Sequence, residues 1–400
     1  MPEFRQDLIS GDWVIIATGR AKRPETFACK GEAELDHAAL PAHDELCPFC
    51  RGNEAMTPPE VLALGRAAGA AAPDTPGWQV RVVTNKFPAL EPDEDALAGR
   101  DPSGRETAGE APAAGSRAPD PFPAAGAAAS AAPAPLYLNR PGFGLHEVLI
   151  ETPAHNRHPG LLPLEQLELV IESYHRRYAA LAADQRFRFI QLFRNHGREA
   201  GASIEHPHSQ LIALPFVPAL VRREMERAHR YYLEDEECLY CRLLDAERHG
   251  EERLVAENGS FTAYMPYASR FPFETWLLPR RHQSSFLEAT AAERRDLAAL
   301  LGAVLGRFAR LLDDPPYNYY LHSAPLRSAG LPHFHWHLEL VPKLTIAAGF
   351  EMGAGMYINV TLPEEAARFI REKGGTADES WQRDLFCPGP AQSPTRGQPV

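Results

Sequence analysis

The apolar and polar positions divide this chain into strand-like and helix-like stretches that recur twice in the same order. After Pro163, the residues Leu167, Ile171, Tyr174, Tyr178 and Leu181 return at three- and four-residue steps, the period of one helix face. Leu297, Leu301, Val304, Phe308 and Leu311 do the same further along. Proline suits a first helical turn, where its missing N–H costs nothing. Each predicted helix follows a strand ending in proline, residues 147–153 and 274–279, and precedes another strand, residues 187–193 and 317–321. Each series then closes on a histidine-rich strand, His206-Pro207-His208-Ser209-Gln210 running on to Pro215, and His333-Phe334-His335-Trp336-His337 running on to Pro342. Because several strands follow one another directly, the pattern predicts an α+β fold of duplicated halves, with mainly antiparallel sheet and packed helices.

The repeat extends beyond these elements. A Cys-x-x-Cys pair opens each series, Cys47/Cys50 and Cys238/Cys241. Phe-Pro follows each pair, at Phe87-Pro88 and Phe271-Pro272, and a histidine trails the next strand, His155 and His282. In the second series Phe-Pro runs straight into that strand, whereas in the first a long stretch intervenes. From about residue 92 to 135 that stretch is mainly Ala, Pro, Gly, Asp and Ser. Such a composition cannot bury enough surface to offset ordering entropy, and it reads as a disordered insertion. The end of the chain, with Gly374-Gly375 and several prolines, reads as a flexible tail in which Trp381 and Phe386 are the docking candidates. The expected organisation is an N-terminal half over 1–215, a C-terminal half over 216–372 and a tail over 373–400.

Composition narrows the function. With 400 residues, 44% hydrophobic and 24% charged, the chain is ordinary globular protein with a sizeable core. A formal net charge of -12 argues against a nucleic-acid partner, though not against a local basic phosphate site. No apolar run approaches membrane-spanning length, and the N-terminus lacks the basic and apolar regions of a signal peptide. A cytoplasmic protein without a membrane partner is expected. Cys-x-x-Cys pairs in that compartment point to metal or redox chemistry. Cys29 and Cys387 stand alone and read as free thiols.

Residues two apart on a strand share a face, so His206, His208 and Gln210 project together ahead of the apolar run Leu211-Ile212-Ala213-Leu214. Upstream lies Asn195-His196-Gly197-Arg198-Glu199-Ala200-Gly201-Ala202-Ser203. Glycines there let backbone N–H groups approach and cradle a phosphate. Cys47 and Cys50, completed by His155 and His206, make a four-ligand zinc set. Cys238 and Cys241 could be completed by His282 and one of His333, His335 or His337. A thioredoxin-like redox pair is the competing reading, but it expects one motif and leaves the histidines unexplained.

These segments resemble the galactose-1-phosphate uridylyltransferase family of the histidine-triad superfamily. The resemblance covers about residues 1–372. It rests on Trp13 to Pro24, Cys47-Pro48-Phe49-Cys50, Thr84 to Pro88, Asn195 to Gln210 and Gly349-Phe350-Glu351. Asp314-Pro315-Pro316-Tyr317-Asn318-Tyr319-Tyr320-Leu321-His322 and Arg198 to Ser203 look more like its ADP-glucose phosphorylase branch. The resemblance implies transfer through a covalent nucleotidyl-histidine, with His208 as nucleophile and Gln210 donating to the transferring phosphate. It implies nucleotide contacts from Asn85, Asn195, Gly201 and Ser203, and contacts to the sugar's phosphate from Arg20 and Arg23. Glu351 matches a hexose contact that in the family serves the partner subunit's site, so a homodimer is implied. It implies zinc on Cys47, Cys50, His155 and His206. For the second site it offers two ligand sets: Glu224, His322, His335 and His337, or Cys238, Cys241, His282 and His335. The latter explains the Cys pair and is preferred, with the metal there left open.

The partners implied are a nucleotide sugar and either a sugar 1-phosphate or phosphate. UMP exchange between UDP-glucose and galactose 1-phosphate is the leading reaction. AMP transfer from ADP-glucose to phosphate, a histidine-triad hydrolase and a zinc-stabilised binding module are the alternatives. A motif search alone could choose His335 as nucleophile. His208 is favoured because the glycine loop precedes its strand and no such loop precedes the other.

Overall fold

The structure, a computed structural model, describes residues 2–18, 27, 41–66, 72–92, 137, 139, 141–328 and 330–374. Arg20, Arg23, Cys29 and Cys387, nearly all of the 92–135 insertion, and residues 375–400 with Trp381 and Phe386 lie outside the described residues.

The two series fold as matching sets of five strands. The first comprises β3 (Glu60–Leu64), β4 (Val80–Thr84), β5 (Leu145–Ile150), β6 (Phe189–His196) and β7 (His208–Leu214). The second comprises β8 (Leu254–Glu257), β9 (Phe261–Tyr264), β10 (Thr275–Pro279), β11 (Tyr317–His322) and β12 (His337–Pro342). They join into one ten-stranded sheet in the order β3-β4-β5-β7-β6-β11-β12-β10-β9-β8. Every neighbouring pair is antiparallel. The order reads the same from both edges, so the duplication is a two-fold relation about the β6–β11 seam. At that seam Tyr317 faces His196 and Asn318 faces Asn195.

Helix α1 (Leu164–Ala182) crosses between β5 and β6, and its equivalent α4 (Ala291–Leu311) crosses between β10 and β11. All five apolar positions picked from the periodicity of α1 are buried, as are Leu297, Leu301, Val304 and Phe308 of α4. Each fully buried apolar side chain contributes about 1.5–3 kcal/mol, which outweighs intrinsic helix propensity in holding these elements. The two helices pack on one face of the sheet, over Val82, Leu149, Ile190, Leu192, Leu211 and Ala213. Strand alternation therefore turns His208 and Gln210 to the opposite face, with Val148 and Ile150 of β5.

On that face of the second half lie α2 (Ala219–Asp235) and α3 (Leu239–Gly250), around Tyr240, Trp276, Leu278 and Phe334. A small sheet places β1 (Glu3–Gln6) antiparallel to β2 (Trp13–Ile16), with β13 (Tyr357–Asn359) parallel to β2. The first residues thus join the C-terminal half in space, and Arg5 clamps Glu364 at 2.9 Å. Two short helices complete the described chain, α5 (Gly349–Ala354) and α6 (Pro363–Lys373).

Some boundaries differ from those expected. β5 begins at Leu145 rather than 147, because its ladder to β7 runs out to the Leu145–Ala213 pair; this puts His146 on the strand. β7 begins at His208 because Pro207 has no N–H to give a ladder. β12 begins at His337 because Trp336 N–H donates instead to the Gln283 carbonyl at 2.9 Å.

Gly160, beside α1, meets Gly306 of α4 backbone to backbone. A Cβ added at Gly160 would stand 2.3 Å from the Gly306 nitrogen. Gly160→Ala is expected to destabilise the fold by about 1–3 kcal/mol through overpacking, read from denaturant midpoints at unchanged slope.

Candidate active site

Cys47 and Cys50 come from the loop before β3, His155 from the loop after β5, and His206 from just before β7. All four are buried, and their ligand atoms lie within 4.8 Å of one another. The Cys47 Sγ–His206 Nδ1 separation is 3.8 Å, and Cys50 Sγ stands 3.6 Å from both His155 Nδ1 and His206 Nδ1. Sulfur at about 2.3 Å and nitrogen at about 2.0 Å from one tetrahedral centre stand about 3.5 Å apart, so the set fits zinc. His206 Nε2–H donates to the Thr152 carbonyl at 2.7 Å, which leaves Nδ1 as the lone-pair end. Burial pushes the Cys47 thiol up to about 11, so a thiolate there needs a compensating cation.

In the second half Cys238, Cys241, His282 and His335 also converge within 4.8 Å. Cys241 Sγ is 3.3 Å from His282 Nδ1 and 3.5 Å from His335 Nδ1. His282 Nε2–H donates to the Leu331 carbonyl at 3.0 Å, the same outer support as at His206. Glu224, His322 and His337 form a separate buried group rather than sharing His335 with the Cys pair.

His208 opens β7 two residues after His206. Its Nδ1–H donates to the His206 carbonyl at 2.8 Å, which fixes the tautomer and leaves Nε2 with its lone pair. Burial, and then the Arg194 guanidinium, hold its pKa below the ordinary value despite that hydrogen bond, so the ring is neutral at pH 7. Arg194 is itself buried and paired with Glu151, and it reaches the His208 carbonyl at 3.4 Å. His208 and Gln210 line a cavity of about 260 Å³ with Phe49, Thr57, Asn85 and Ser203.

Gln210 carries a constraint that sequence reasoning missed. Ala89 N–H donates to His146 Nδ1 at 3.2 Å, so His146 Nε2 bears the proton. That proton goes to Gln210 Oε1 at 2.7 Å, leaving the Gln210 NH₂ as the end that can donate to a ligand. Asn85 is held in an Asx turn, its Oδ1 accepting from Phe87 N–H at 2.9 Å.

The glycine loop leaves β6 at Asn195 and His196. Gly197 (φ +77) and Gly201 (φ +90) take left-handed conformations that favour glycine, and Gly201 ends the short 3-10 turn Arg198–Ala200. Asn195, Arg198 and Ser203 line a second cavity of about 270 Å³ that meets the first at Ser203 and Ile204. Glu351 is not brought to His208; it lines a depression of about 220 Å³ with Arg270, Phe271 and Tyr357.

Strand register shows what became of the second copy. Gln210 faces Phe193 across β6–β7, and Glu339 faces Tyr320 across β11–β12. Counting along both ladders matches His208 with His337, Gln210 with Glu339 and Asn195 with His322. His335 therefore corresponds to His206 rather than to His208. His208 is 6% exposed and lines a cavity, whereas His337 is 0% exposed and stacks on Trp276 at 5.0 Å. Glu224 closes the copy from α2, 3.1 Å from His322 Nδ1. Burial disfavours the His322 imidazolium, but Glu224 and Glu339 outweigh it and push its pKa up to about 9. Glu224, His322, His337 and Glu339 are all buried, and none of them lines the two cavities described for the first half.

Comparison with known proteins adds the family. Residues 1–218 match the family described as galactose-1-phosphate uridyl transferase, N-terminal domain, and residues 224–377 match its C-terminal domain. The chain belongs to this family. It is a nucleotidyltransferase of the hexose-1-phosphate uridylyltransferase type. An ADP-glucose phosphorylase of Arabidopsis thaliana is 33% identical over 93% of this chain and 93% of its own length. A galactose-1-phosphate uridylyltransferase of Rattus norvegicus is 28% identical over 92% of this chain and 86% of its own. The solved structure of an ADP-glucose phosphorylase from Arabidopsis thaliana with bound ADP-glucose superposes at a TM-score of 0.71 and 30% identity, over 93% of this chain and 99% of that one.

His146→Phe removes the donor that orients the Gln210 amide while keeping a ring on β5. Nucleotidyl transfer is expected to fall about tenfold or more at little change in melting temperature, measured as kcat on the best nucleotide-sugar substrate.

Proposed function

We propose that the protein transfers a nucleotidyl group through a covalent intermediate on His208. The observation that carries this reading is the His208 imidazole itself: neutral, held by the His206 carbonyl, and lining a cavity beside a glycine loop. Nε2 attacks the α-phosphorus of a nucleotide sugar. The N–P bond forms as the P–O bond to the sugar phosphate breaks, and that electron pair leaves on the sugar 1-phosphate. An oxygen of the acceptor phosphate then attacks phosphorus, and the N–P electron pair returns to His208. Gln210 NH₂, the Asn195 amide and Ser203 stabilise the phosphate oxygens, as do Gly201 and the loop backbone. Asn85 and the Phe49 side of the cavity take the nucleoside, and Arg20 and Arg23 take the sugar's phosphate.

The leading substrates are UDP-glucose and a hexose 1-phosphate, in the role of a galactose-1-phosphate uridylyltransferase. The second reading is adenylyl transfer from ADP-glucose to phosphate. It is favoured by the Arabidopsis relative, which matches along nearly the whole chain and was solved with ADP-glucose. Zinc on Cys47, Cys50, His155 and His206, and a metal on Cys238, Cys241, His282 and His335, would serve as closed four-ligand anchors. The first would tie β7 to the loop before β3 and so hold His208 in place. Free cysteine pairs suit a reducing compartment, which supports a cytoplasmic enzyme. Among the described residues no helix is long and apolar enough to cross a membrane. Glu351 lies away from the His208 cavity, which supports a homodimer in which it completes the partner's site.

Incubation with α-labelled UDP-glucose and ADP-glucose in parallel should leave an acid-labile label on His208 from one of them. Galactose 1-phosphate or phosphate should discharge it. His208→Asn should abolish the label and lower turnover by about 10³ or more. A folded wild-type protein that takes label from neither donor would refute the reading, and free nucleoside monophosphate as the main product would make it a hydrolase.

Because the folded pKa of His208 lies below the ordinary value of about 6.5, its reactive neutral form persists to lower pH. The rate of adduct formation should stay level from neutral pH down through about 6.5 and fall only below it. A midpoint at or above that value would contradict the burial-lowered nucleophile. Elemental analysis should find two metal ions per chain, and chelation should lower both melting temperature and turnover.

A further inference from the structure

The segment Asp314 to His322, singled out in the sequence for its resemblance to one branch of the family, has no part in the chemistry just described. It belongs to the second half, yet it forms the floor of the first half's glycine loop. Three residues of the segment make the contacts. His196 Nε2–H donates to Asp314 at 2.9 and 3.0 Å, and His158 Nε2 meets the same carboxylate at 2.8 Å. Pro316 underlies Gly197, where an added Cβ would stand 2.9 Å from the Pro316 Cβ. Asn318 spans the mouth of the loop: its Nδ2 donates to Asn195 Oδ1 at 2.8 Å and to the Ala200 carbonyl at 2.8 Å.

The Asn318 contacts decide a chemical question. An amide nitrogen has two hydrogens, and both are used here. Turning the Asn318 amide over would set its oxygen against two acceptors, so its orientation is determined. That in turn determines Asn195, whose Oδ1 is held by Asn318 and whose NH₂ is the remaining end. Among the described residues the NH₂ makes a single hydrogen bond, at 3.5 Å to the Gly201 carbonyl, at the long limit of such a bond. Phosphate oxygens only accept, so an Asn195 amide turned the other way would oppose oxygen to oxygen. Arg157 and Arg198 line the same cavity and have no ion-pair partner among the described residues, which keeps this side of the loop suited to an anion.

We propose that Asn318 is a positioning residue, contributed across the seam by the half without a working nucleophile, that aims the Asn195 NH₂ at the substrate phosphate. The inference rests on the phosphate-cradle role given to Asn195 above. It extends that role to a residue which touches neither substrate nor the reacting atoms.

The decisive variant is Asn318→Asp, nearly equal in size. Its carboxylate accepts only, so Asn195 turns to donate to it and presents Oδ1 to the phosphate. The rate constant for labelling His208 with the better nucleotide sugar should fall about 10²-fold, since one oriented donor becomes an acceptor. Asn318→Ala, which leaves Asn195 free to choose, should lose less, about tenfold. Metal content should stay near wild type in both, and melting temperature near wild type in Asn318→Ala and only slightly lower in Asn318→Asp, where one carboxylate oxygen meets the Ala200 carbonyl. A second signature separates positioning from simple packing. Once protonated, the introduced carboxyl can donate again, so the Asn318→Asp rate relative to wild type should rise as pH is lowered. Labelling at the wild-type rate in both variants would overturn the proposal. So would a slow Asn318→Asp variant with lowered melting temperature and no recovery at low pH. If wild type takes no label, the proposed function fails on its own, and nucleotide affinity by calorimetry then decides this point. An unchanged Kd in Asn318→Asp would overturn the inference, and a Kd raised about tenfold or more would support it.

Discussion

The position of His206 is the constraint on which the rest of the site depends. Its ring belongs to the cluster with Cys47, Cys50 and His155, its Nε2–H is held by the Thr152 carbonyl, and its own carbonyl takes the Nδ1–H of His208. One residue thus couples a four-ligand anchor to the tautomer of the reactive ring. The coupling is mechanical and electronic together. Under the proposed function a metal held by that cluster would fix the backbone at the start of β7, and the carbonyl leaves His208 Nε2 with its lone pair. Behind the strand, the buried Arg194–Glu151 pair and the Tyr174–Ser209 hydrogen bond at 2.7 Å hold the same residues from the helix side. His208 is therefore held from both faces of its strand and lines the cavity.

Duplication supplied two such strands, and the structure shows why they are not equivalent. Register matches His208, Gln210 and Asn195 with His337, Glu339 and His322. In the second copy the amide that would face a phosphate has become a carboxylate, and the asparagine has become a histidine. A carboxylate repels phosphate, and Glu224 and Glu339 favour a protonated His322 where the first copy has the neutral Asn195. Glu224 from α2 and the stacked Trp276 complete the closure. The second half keeps its own Cys₂His₂ group all the same. The Cys₂His₂ grouping thus recurs in both halves, whereas the cavity-lining His, Gln and glycine loop occur in the first.

Much of this is legible in the sequence because the informative spacings are short. Cys-x-x-Cys pairs, alternating His206 and His208, and a glycine-rich loop next to its strand each lie within a few residues, and the repeat supplies the α+β layout. His146 escapes such reading because β5 starts two residues before the apolar signal does, and its partner Gln210 is far off in sequence. Asn318 and Asp314 stand in the sequence as motif residues without a role, because their partners Asn195, His196 and His158 lie on the other half. Only the β6–β11 pairing brings them together. Resemblance gives Glu351 to a hexose, and the fold of one chain does not carry it to His208. Hydrophobic periodicity states which face a residue takes; it does not state which distant side chain meets it there.

The seam is accordingly more than a place where two halves touch. A loop with two left-handed glycines carries little conformational preference of its own, because glycine loses the most entropy on ordering. Something outside the loop must hold it before substrate arrives, or binding energy is spent on ordering it. Its own half supplies strand β6 and His158, and the other half supplies the facing strand, Asp314, Pro316 and Asn318. A single half folding alone would lack those last three, and its phosphate loop would have to be ordered by the ligand. Fusion of two copies in one chain fixes the seam permanently. The strand edge of the second half thereby serves as the template on which the loop of the first is laid.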